Sequence, residues 1–357
     1  MKDIITIVGA RPQFVKAAVV SKALEQAGIS EELIHTGQHY DASMSKVFFD
    51  ELGIPAPAIN LETGSGTHGK QTAAILEKVE AWLLAQEKLP KALMVYGDTN
   101  STLAGALAAA KLHIPVVHVE AGLRSFNRQM PEEINRVMTD HISEILFCSS
   151  ETGVRQLASE GITKGVHNTG DVMYDAVRIF SQSGGDTPPE LFEGDERITL
   201  PRKFHLFTLH RPSNTDSPEN LSSILQAVGK SGKSVVWPVH PRVRERLDAI
   251  TLPENLICVQ PQPYISLLKL LGSCEGVLTD SGGLQKEAYW LKKPCITLRE
   301  ETEWTETLEG GWNQLVGADT FNILAALDKS PDSEWKPLYG DGHAAENIAR
   351  ILSDFLH

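Results

Sequence analysis

The chain has 357 residues, 41% of them hydrophobic and 22% charged, with a formal net charge of −13. That length exceeds the usual size of one hydrophobic core and points to two α/β domains of about 170 residues each. The negative balance argues against sequence-independent nucleic-acid binding and against attraction to an anionic membrane surface, so a phosphorylated ligand would have to be met by local cations. The four cysteines, Cys148, Cys258, Cys274 and Cys295, show no CxxC spacing. They have the pattern of buried thiols in a reducing compartment, not of disulfides or metal ligands. No signal-peptide pattern and no uninterrupted apolar run of about 18 residues occurs, so the expectation is a cytoplasmic enzyme without a membrane span.

Residues 3 to 9, DIITIVG, form a near-continuous apolar run ending in glycine, as a parallel strand covered on both faces would. Pro12 sits where a helix begins, and Phe14, Ala17, Ala18, Val20 and Leu24 give residues 13 to 26 a helical period. This βα unit lacks the GxGxxG fingerprint. Arg11 in its turn and Lys16 one turn into its helix would face the carboxyl edge of the sheet, where open α/β folds bind ligands; the alternative is a pair of solvated charges. The pattern repeats: a strand at 32 to 36, a polar turn holding Gln38 and His39, a helix at 43 to 52, and a long helix from His68 past Gln71 to about 86. A strand at 91 to 96 ends in Gly97-Asp98-Thr99-Asn100 before a helix at 101 to 112, and a strand at 115 to 119 ends in Glu120. His118 and Glu120 make an HxE without a third partner at metal-ligand spacing, so His118 reads as a core histidine. Pro131, with Glu132 and Glu133 in the first turn, starts a helix with good dipole complementarity. A strand at 145 to 148 and helices at 150 to 160 and 170 to 180 complete this half.

Residues 181 to 195, rich in Ser, Gly, Pro and acids, are the best domain linker. The βα alternation then restarts. A strand at 204 to 209 ends in His210-Arg211, followed by a helix capped by Asp216 or Ser217. A strand at 234 to 239 ends in His240-Pro241-Arg242, followed by a short strand at 256 to 259 and an apolar helix from Tyr264 to Leu271. Next comes the stretch LTDSGGLQKEA, residues 278 to 288: strand, glycine turn, helix. At Ser281-Gly282-Gly283 the first N–H groups of the helix lack internal partners and face the positive end of its dipole, which suits a phosphate. Glu287, one turn up, is placed to accept hydrogen bonds from a sugar diol. The plain alternative is a tight turn with a surface glutamate. The DSGG of trypsin-like proteases fits less well, because here the serine opens a helix in an α/β context. A last amphipathic helix spans 343 to 356. Domains are thus expected at 1 to 180 and 196 to 342, with residues 343 to 357 packing back on the first.

The candidate polar residues all fall at strand ends: Arg11, Lys16, Asp98, Glu120 and Glu132 in the first half, His210, Arg211, His240, Arg242, Ser281 and Glu287 in the second. Carboxylates converging on one cleft would raise one another's pKa, as acid/base chemistry needs.

Several motifs occur together and in order: Gly9-Ala10-Arg11-Pro12, Tyr96-Gly97-Asp98-Thr99, His118-Val119-Glu120-Ala121-Gly122-Leu123-Arg124, Pro131-Glu132-Glu133-Ile134-Asn135-Arg136, His210-Arg211 and Asp280-Ser281-Gly282-Gly283-Leu284-Gln285-Lys286-Glu287. This set resembles the non-hydrolysing UDP-N-acetylglucosamine 2-epimerases. The resemblance implies an α/β fold of two doubly wound Rossmann-like domains facing a cleft, the B-type glycosyltransferase fold, and a homodimer. It implies inversion at C2 of a UDP-activated 2-acetamido sugar by UDP elimination and re-addition, with no metal or redox cofactor. It further implies Asp98, Glu120, Glu132, His210 and Lys16 as catalytic residues. Arg11, Arg136, His240, Tyr264, Ser281, Gly282, Gly283 and Glu287 would bind UDP, and Gln38, His39, His68 and Gln71 would contact a second, activating UDP-GlcNAc. The sequence departs from the common pattern in three places. Gln13 stands where that pattern has Glu, Pro212-Ser213-Asn214 follows His210-Arg211 in place of a basic residue and Glu, and Thr302-Glu303-Trp304-Thr305-Glu306 replaces Thr-Glu-Arg-Pro-Glu. The last change resembles the branch acting on UDP-2,3-diacetamido-2,3-dideoxyglucuronic acid. A retaining glycosyltransferase, a hydrolysing epimerase and a non-catalytic nucleotide-sugar sensor are the competing readings.

Overall fold

The computed structural model describes residues 2–38, 49, 51–182, 189–247 and 250–356. The expected helix at 43 to 52 lies for the most part outside the described residues, as do His39, the side chain of Arg242 and part of the 181 to 195 linker. The chain divides into two compact units, residues 1–176 with 339–357, and residues 177–338.

Unit 1 holds strands β1 (Ile4–Val8), β2 (Glu31–His35), β3 (Ile59–Asn60), β4 (Ala92–Tyr96), β5 (Val116–Ala121), β6 (Ile145–Cys148) and β7 (Val166–Asn168). Its helices are α1 (Arg11–Gln26), α2 (His68–Leu84), α3 (Asn100–Lys111), α4 (Pro131–Ile142), α5 (Glu151–Ser159) and the start of α6 (Val172–Ser181). The strands form one parallel sheet in the order β3-β2-β1-β4-β5-β6-β7. β1, β4 and β6 are buried along their whole length, which is why they read as unbroken apolar runs and not as alternating ones. Ile5, Ile7, Ile34, Leu93, Val95, Ile75, Val79 and the alanines of α3 make up one core cluster. Gly105 in α3 permits the close approach, since a Cβ there would stand 2.9 Å from Ile7 Cγ1.

Unit 2 starts with a two-stranded antiparallel hairpin, β8 (Leu191–Glu193) and β9 (Glu196–Ile198), where the sequence read as linker. Then come β10 (His205–Thr208), α7 (Pro212–Thr215), α8 (Pro218–Lys230), β11 (Val235–Pro238), α9 (Pro241–Leu247), β12 (Leu256–Val259) and α10 (Tyr264–Ser273). These are followed by β13 (Gly276–Thr279), α11 (Gly282–Trp290), β14 (Cys295–Thr297), a 3-10 segment (Thr305–Gly311), β15 (Asn313–Leu315) and α12 (Thr320–Leu327). Its sheet is parallel in the order β12-β11-β10-β13-β14-β15. The cap of α8 is Ser217, whose side chain accepts from Asn220 N.

The chain then returns to unit 1, and α13 (Ala344–Leu356) packs on α1. Its first N–H groups are taken up by buried Asp175, whose carboxylate accepts from Ala344 N at 3.1 Å and Ala345 N at 2.7 Å. A carboxylate at this end also complements the helix dipole. Among the described residues no helix is long and apolar enough to cross a membrane.

Candidate active site

In a doubly wound sheet the ligand crevice lies beyond the strand ends where the strand order reverses. In unit 1 that point is between β1 and β4, and the loops there carry Gly9 to Arg11 and Gly97 to Asn100. Gln13 ties them together. Its Oε1 accepts from Gly9 N at 2.8 Å and Ala10 N at 3.1 Å, while Nε2 donates to Tyr96 O at 2.8 Å and to Thr99 and Thr102 Oγ1 at 3.0 Å. An amide does both jobs in one plane, donating to a carbonyl that an ionised carboxylate could only repel. The substitution of Gln for Glu thus has a structural role in this chain.

Lys16 is buried, and its ammonium forms an ion pair with Glu120 Oε2. Glu120 stands at the irregularity where the β5–β6 register shifts, with φ +72°. A left-handed conformation costs a side-chain-bearing residue of order 1–3 kcal/mol and marks functional constraint when the surroundings enforce it. Gly97, φ +62°, lies against the pair: a Cβ there would be 3.2 Å from Glu120 Oε2 and 3.6 Å from Lys16 Nζ. Asp98, partly exposed, pairs with Arg136 Nη2 at 2.6 Å, and Arg136 Nη1 reaches Glu133 Oε2 at 2.9 Å. Arg136, expected to hold UDP, is therefore engaged by two carboxylates. Arg11 is exposed at the start of α1. Glu132 is half-buried in the first turn of α4, with no ion pair among the described residues.

Beneath these groups lies a buried support of which the sequence showed only His118, as a core histidine. His118 is fully buried, with Nδ1 2.7 Å from Asp140 Oδ1 and Nε2 2.8 Å from Gly97 O. A core role fits, and both ring nitrogens are occupied. Asp140 also accepts from Arg124 Nη1 at 2.6 Å and Gly122 N at 3.2 Å. Burial pushes the Asp140 carboxyl up, but His118 and Arg124 outweigh it and hold it below the ordinary carboxylate range. Glu133 behaves alike: burial raises it, while the N–H groups of Ser125 and Phe126 and the Arg136 guanidinium bring it below its usual value. The available signal was the inverted face of α4, which buries Glu133, Asn135, Thr139 and Asp140 and exposes Ile134 and Met138.

Gln38, His68 and Gln71 converge on the start of α3. Gln38 Oε1 accepts from Ser101 N at 3.0 Å and Oγ at 2.6 Å; Asn100 Nδ2 donates to Gln71 Oε1 at 2.9 Å and lies 3.2 Å from His68 Nδ1. Asn135 Nδ2 bridges Asn100 Oδ1 at 3.3 Å and Asp98 O at 2.9 Å. A continuous polar chain thus runs from Gln38 and Gln71 to the backbone of Asp98.

In unit 2 the reversal lies between β10 and β13, and their ends bring His210 and Arg211 beside Asp280 and Ser281. Asp280 organises them. Fully buried, it accepts from His210 N at 3.1 Å, Arg211 N at 2.9 Å and Asn214 Nδ2 at 3.3 Å, and pairs with His210 Nδ1 at 2.9 Å. Burial alone would raise its pKa, yet these donors hold it below the ordinary value. The His240 ring is 6.5 Å from that of His210. Ser281 caps α11, its side chain accepting from Leu284 N at 3.4 Å, and Gly283 is exposed. Glu287 is buried, not a surface residue. Burial pushes its carboxyl up to about 7, against the pull of the Tyr264 hydroxyl and the Lys286 ammonium.

Two α/β units with parallel sheets, each with polar residues at its own reversal point, define the B-type glycosyltransferase class of fold. Residues 22–353 match the family model of UDP-N-acetylglucosamine 2-epimerases. A UDP-N-acetylglucosamine 2-epimerase homolog of Methanococcus maripaludis is 48% identical, over 98% of this chain and 99% of its own. The UDP-2,3-diacetamido-2,3-dideoxy-D-glucuronate 2-epimerase of Pseudomonas aeruginosa is 46% identical over the same shares. The crystal structure of the Methanocaldococcus jannaschii UDP-GlcNAc 2-epimerase, in complex with UDP-GlcNAc and UDP, superposes with a TM-score of 0.80 at 40% identity, covering 98% of this chain and 99% of that one. The chain belongs to the UDP-N-acetylglucosamine 2-epimerase family.

Proposed function

We propose that the protein interconverts UDP-N-acetylglucosamine and UDP-N-acetylmannosamine by inversion at C2, without hydrolysis. The observation that carries this reading is the Lys16–Glu120 pair beside Asp98 at the reversal point of a doubly wound sheet. The C2 proton has no neighbouring carbonyl to acidify it. Cleaving the C1–O bond to UDP develops oxocarbenium character at C1, and a carboxylate then removes the C2 proton to leave 2-acetamidoglucal and UDP. Return of a proton to the opposite face, with re-addition of the UDP oxygen at C1, completes a redox-neutral isomerisation. We assign the proton transfers to Asp98, Glu120 and Glu132, with Lys16 keeping Glu120 available as an acceptor. Arg136 would orient Asp98. Arg11, His210, His240 and the Ser281-Gly282-Gly283 turn would stabilise the departing diphosphate, and Glu287 would accept from the ribose hydroxyls.

The test is deuterium uptake at C2 in D2O, followed by NMR. Uptake without free sugar supports the reading, and Glu120→Gln should lower the exchange rate at least about 10²-fold. No uptake with any 2-acetamido UDP-sugar would overturn it; stoichiometric release of free N-acetylmannosamine would point to the hydrolysing reaction. A second reading, the same chemistry on UDP-2,3-diacetamido-2,3-dideoxyglucuronic acid, is favoured by the 46% identity to the Pseudomonas enzyme and by Trp304. An activator bound at Gln38, His68 and Gln71 would communicate with Asp98 through Asn100 and Asn135. Exposed Ile134 and Met138, flanking an apolar groove of about 400 Å³ between α2, α3 and α4, support a homodimer through this face, which sedimentation velocity would test.

A further inference from the structure

The loop of residues 122–130 leaves the end of β5 and enters α4. It therefore joins Glu120 to Glu132, two of the three carboxylates assigned to proton transfer, at the edge of the sheet where ligands bind. Phe126, in the middle of this loop, combines two unfavourable features. Its backbone is left-handed, φ +57°, a region that glycine enters freely and a bulky residue enters only under constraint. Its ring is 76% exposed, so packing within the chain does not offset that cost. Among the described residues it is the one exposed large hydrophobic with such a backbone.

The conformation is enforced from the site itself. The buried Glu133 carboxylate accepts from Phe126 N at 2.8 Å through Oε1, and from Ser125 N at 2.8 Å and Ser125 Oγ at 3.1 Å through Oε2. The same Oε2 meets Arg136 Nη1 at 2.9 Å, and Arg136 Nη2 meets Asp98 Oδ2 at 2.6 Å. Beyond the ring, Asn127 closes the loop, its Oδ1 accepting from Gln129 N and its backbone O from Met130 N, each at 3.0 Å. The guanidinium that pairs with Asp98 and the backbone that presents Phe126 thus share one carboxylate. An aromatic ring held outward at the expense of backbone strain marks a functional constraint when its surroundings enforce it. A sugar whose C2 reaches Asp98 and Glu120 lies at the same sheet edge. It carries C–H faces and an acetamido methyl, which gain by leaving water for an aromatic surface.

We propose that Phe126 contacts the substrate, its ring packing on the apolar C–H face of the acetamido sugar bound at Asp98 and Glu120. The inference rests on the 2-epimerase reading for the identity of that sugar, and adds to the acids a residue that holds the pyranose against them.

The test titrates UDP and UDP-N-acetylglucosamine separately, by calorimetry, into the intact protein, Phe126→Ala and Phe126→Tyr. Phe126→Ala should weaken UDP-N-acetylglucosamine binding about fivefold or more, as expected when roughly half a phenyl side chain loses its cover. Its UDP affinity should stay within about twofold, because no diphosphate or ribose contact is assigned to this loop. Phe126→Tyr keeps the ring and should hold the sugar nucleotide within about twofold of the intact protein. The melting temperature of Phe126→Ala should fall by no more than about 2 °C, since an exposed ring has little packing to lose. The contact is overturned if Phe126→Ala binds UDP-N-acetylglucosamine as the intact protein does, if UDP weakens equally, or if Phe126→Tyr loses as much as Phe126→Ala. A larger fall in melting temperature would overturn it in favour of a structural role, and dissociation of a dimer in sedimentation velocity would assign the ring to a second copy of the chain. Deuterium uptake at C2 by the intact protein is followed in parallel. Its absence, with sugar affinity still lost in Phe126→Ala, would reject the 2-epimerase reading and leave the contact standing.

Discussion

Asp140→Asn is the substitution whose consequences the structure defines most fully. It conserves volume but removes the charge from a side chain that is 0% exposed, and its new amide must turn an N–H donor toward either His118 Nδ1, 2.7 Å away, or Arg124 Nη1, 2.6 Å away. Removing one partner of a buried pair typically costs about 3–5 kcal/mol, because the other charge is left uncompensated. Arg124 keeps Glu160 at 2.8 Å through Nε and 2.9 Å through Nη2, so the lower end, about 3 kcal/mol, is expected. For a unit of this size that corresponds to about 6–12 °C in Tm. Differential scanning calorimetry would give the shift, and hydrogen exchange would locate it to β4 and β5. The pH dependence follows from the depressed native pKa. Asp140 contributes stability above the unfolded carboxylate pKa, and that contribution is lost as pH falls through the lower folded value. The gap between wild type and variant should hold steady from pH 8 to about 5 and narrow in acid below about 4. Because His118 also fixes Gly97 O, next to Asp98, kcat should fall more than KM rises. A gap under about 1 kcal/mol at neutral pH would refute the assignment of Asp140 as the buried counter-charge of this network.

Glu287 makes a second prediction. With its carboxyl pushed up to about 7 by burial, the ionised form, which on the proposed reading would accept from a ribose diol, is gained as pH rises. Uridine, which carries no phosphate that titrates in this range, should bind more tightly by calorimetry at pH 8 than at pH 6, and Glu287→Gln should bind it weakly with no such dependence; a flat wild-type profile would refute this role. Gln13→Glu should place a carboxylate oxygen against Tyr96 O, where Nε2 now donates at 2.8 Å. An unpaired buried group costs about 1–3 kcal/mol. The introduced carboxyl would have a raised folded pKa, so the loss of Tm should be full near pH 8 and vanish in acid below its unfolded value; a pH-independent loss would argue against the amide's donor role.

The fold was legible where burial on both faces leaves unbroken apolar runs closed by glycine, as in β1, β4 and β13. The two- and three-residue strands β3, β7 and β15 were not, because pairing by their neighbours and not their own composition makes them strands. The β8–β9 hairpin was hidden by a composition that signals linker. For the candidate site, strand-end position alone brought out Asp98, Glu120, His210 and Ser281, since parallel sheets gather such ends. The groups holding them, Gln13, Asp140, Asn135 and Asp280, act across long sequence separations. Gln13 meets Thr102 and Asp280 meets His210 only once the strands are ordered, so no local spacing encodes these two; Asn135 and Asp140 left a local trace only in the inverted face of α4.

The return of the chain to unit 1 sets a schedule for its synthesis. The buried carboxylate of Asp175 and the α1 surface that α13 covers are made before residues 177 to 338, and their partner is made after them. Residues 177 to 338 must be translated in between, roughly 8 to 32 s at about 5–20 residues per second. During that interval the first unit has its sheet but not its final helix, and an apolar strip of α1 stands open to chaperones or to a neighbouring nascent chain. A chain lacking α13 would stay in that exposed state, although every residue assigned to the chemistry would be present.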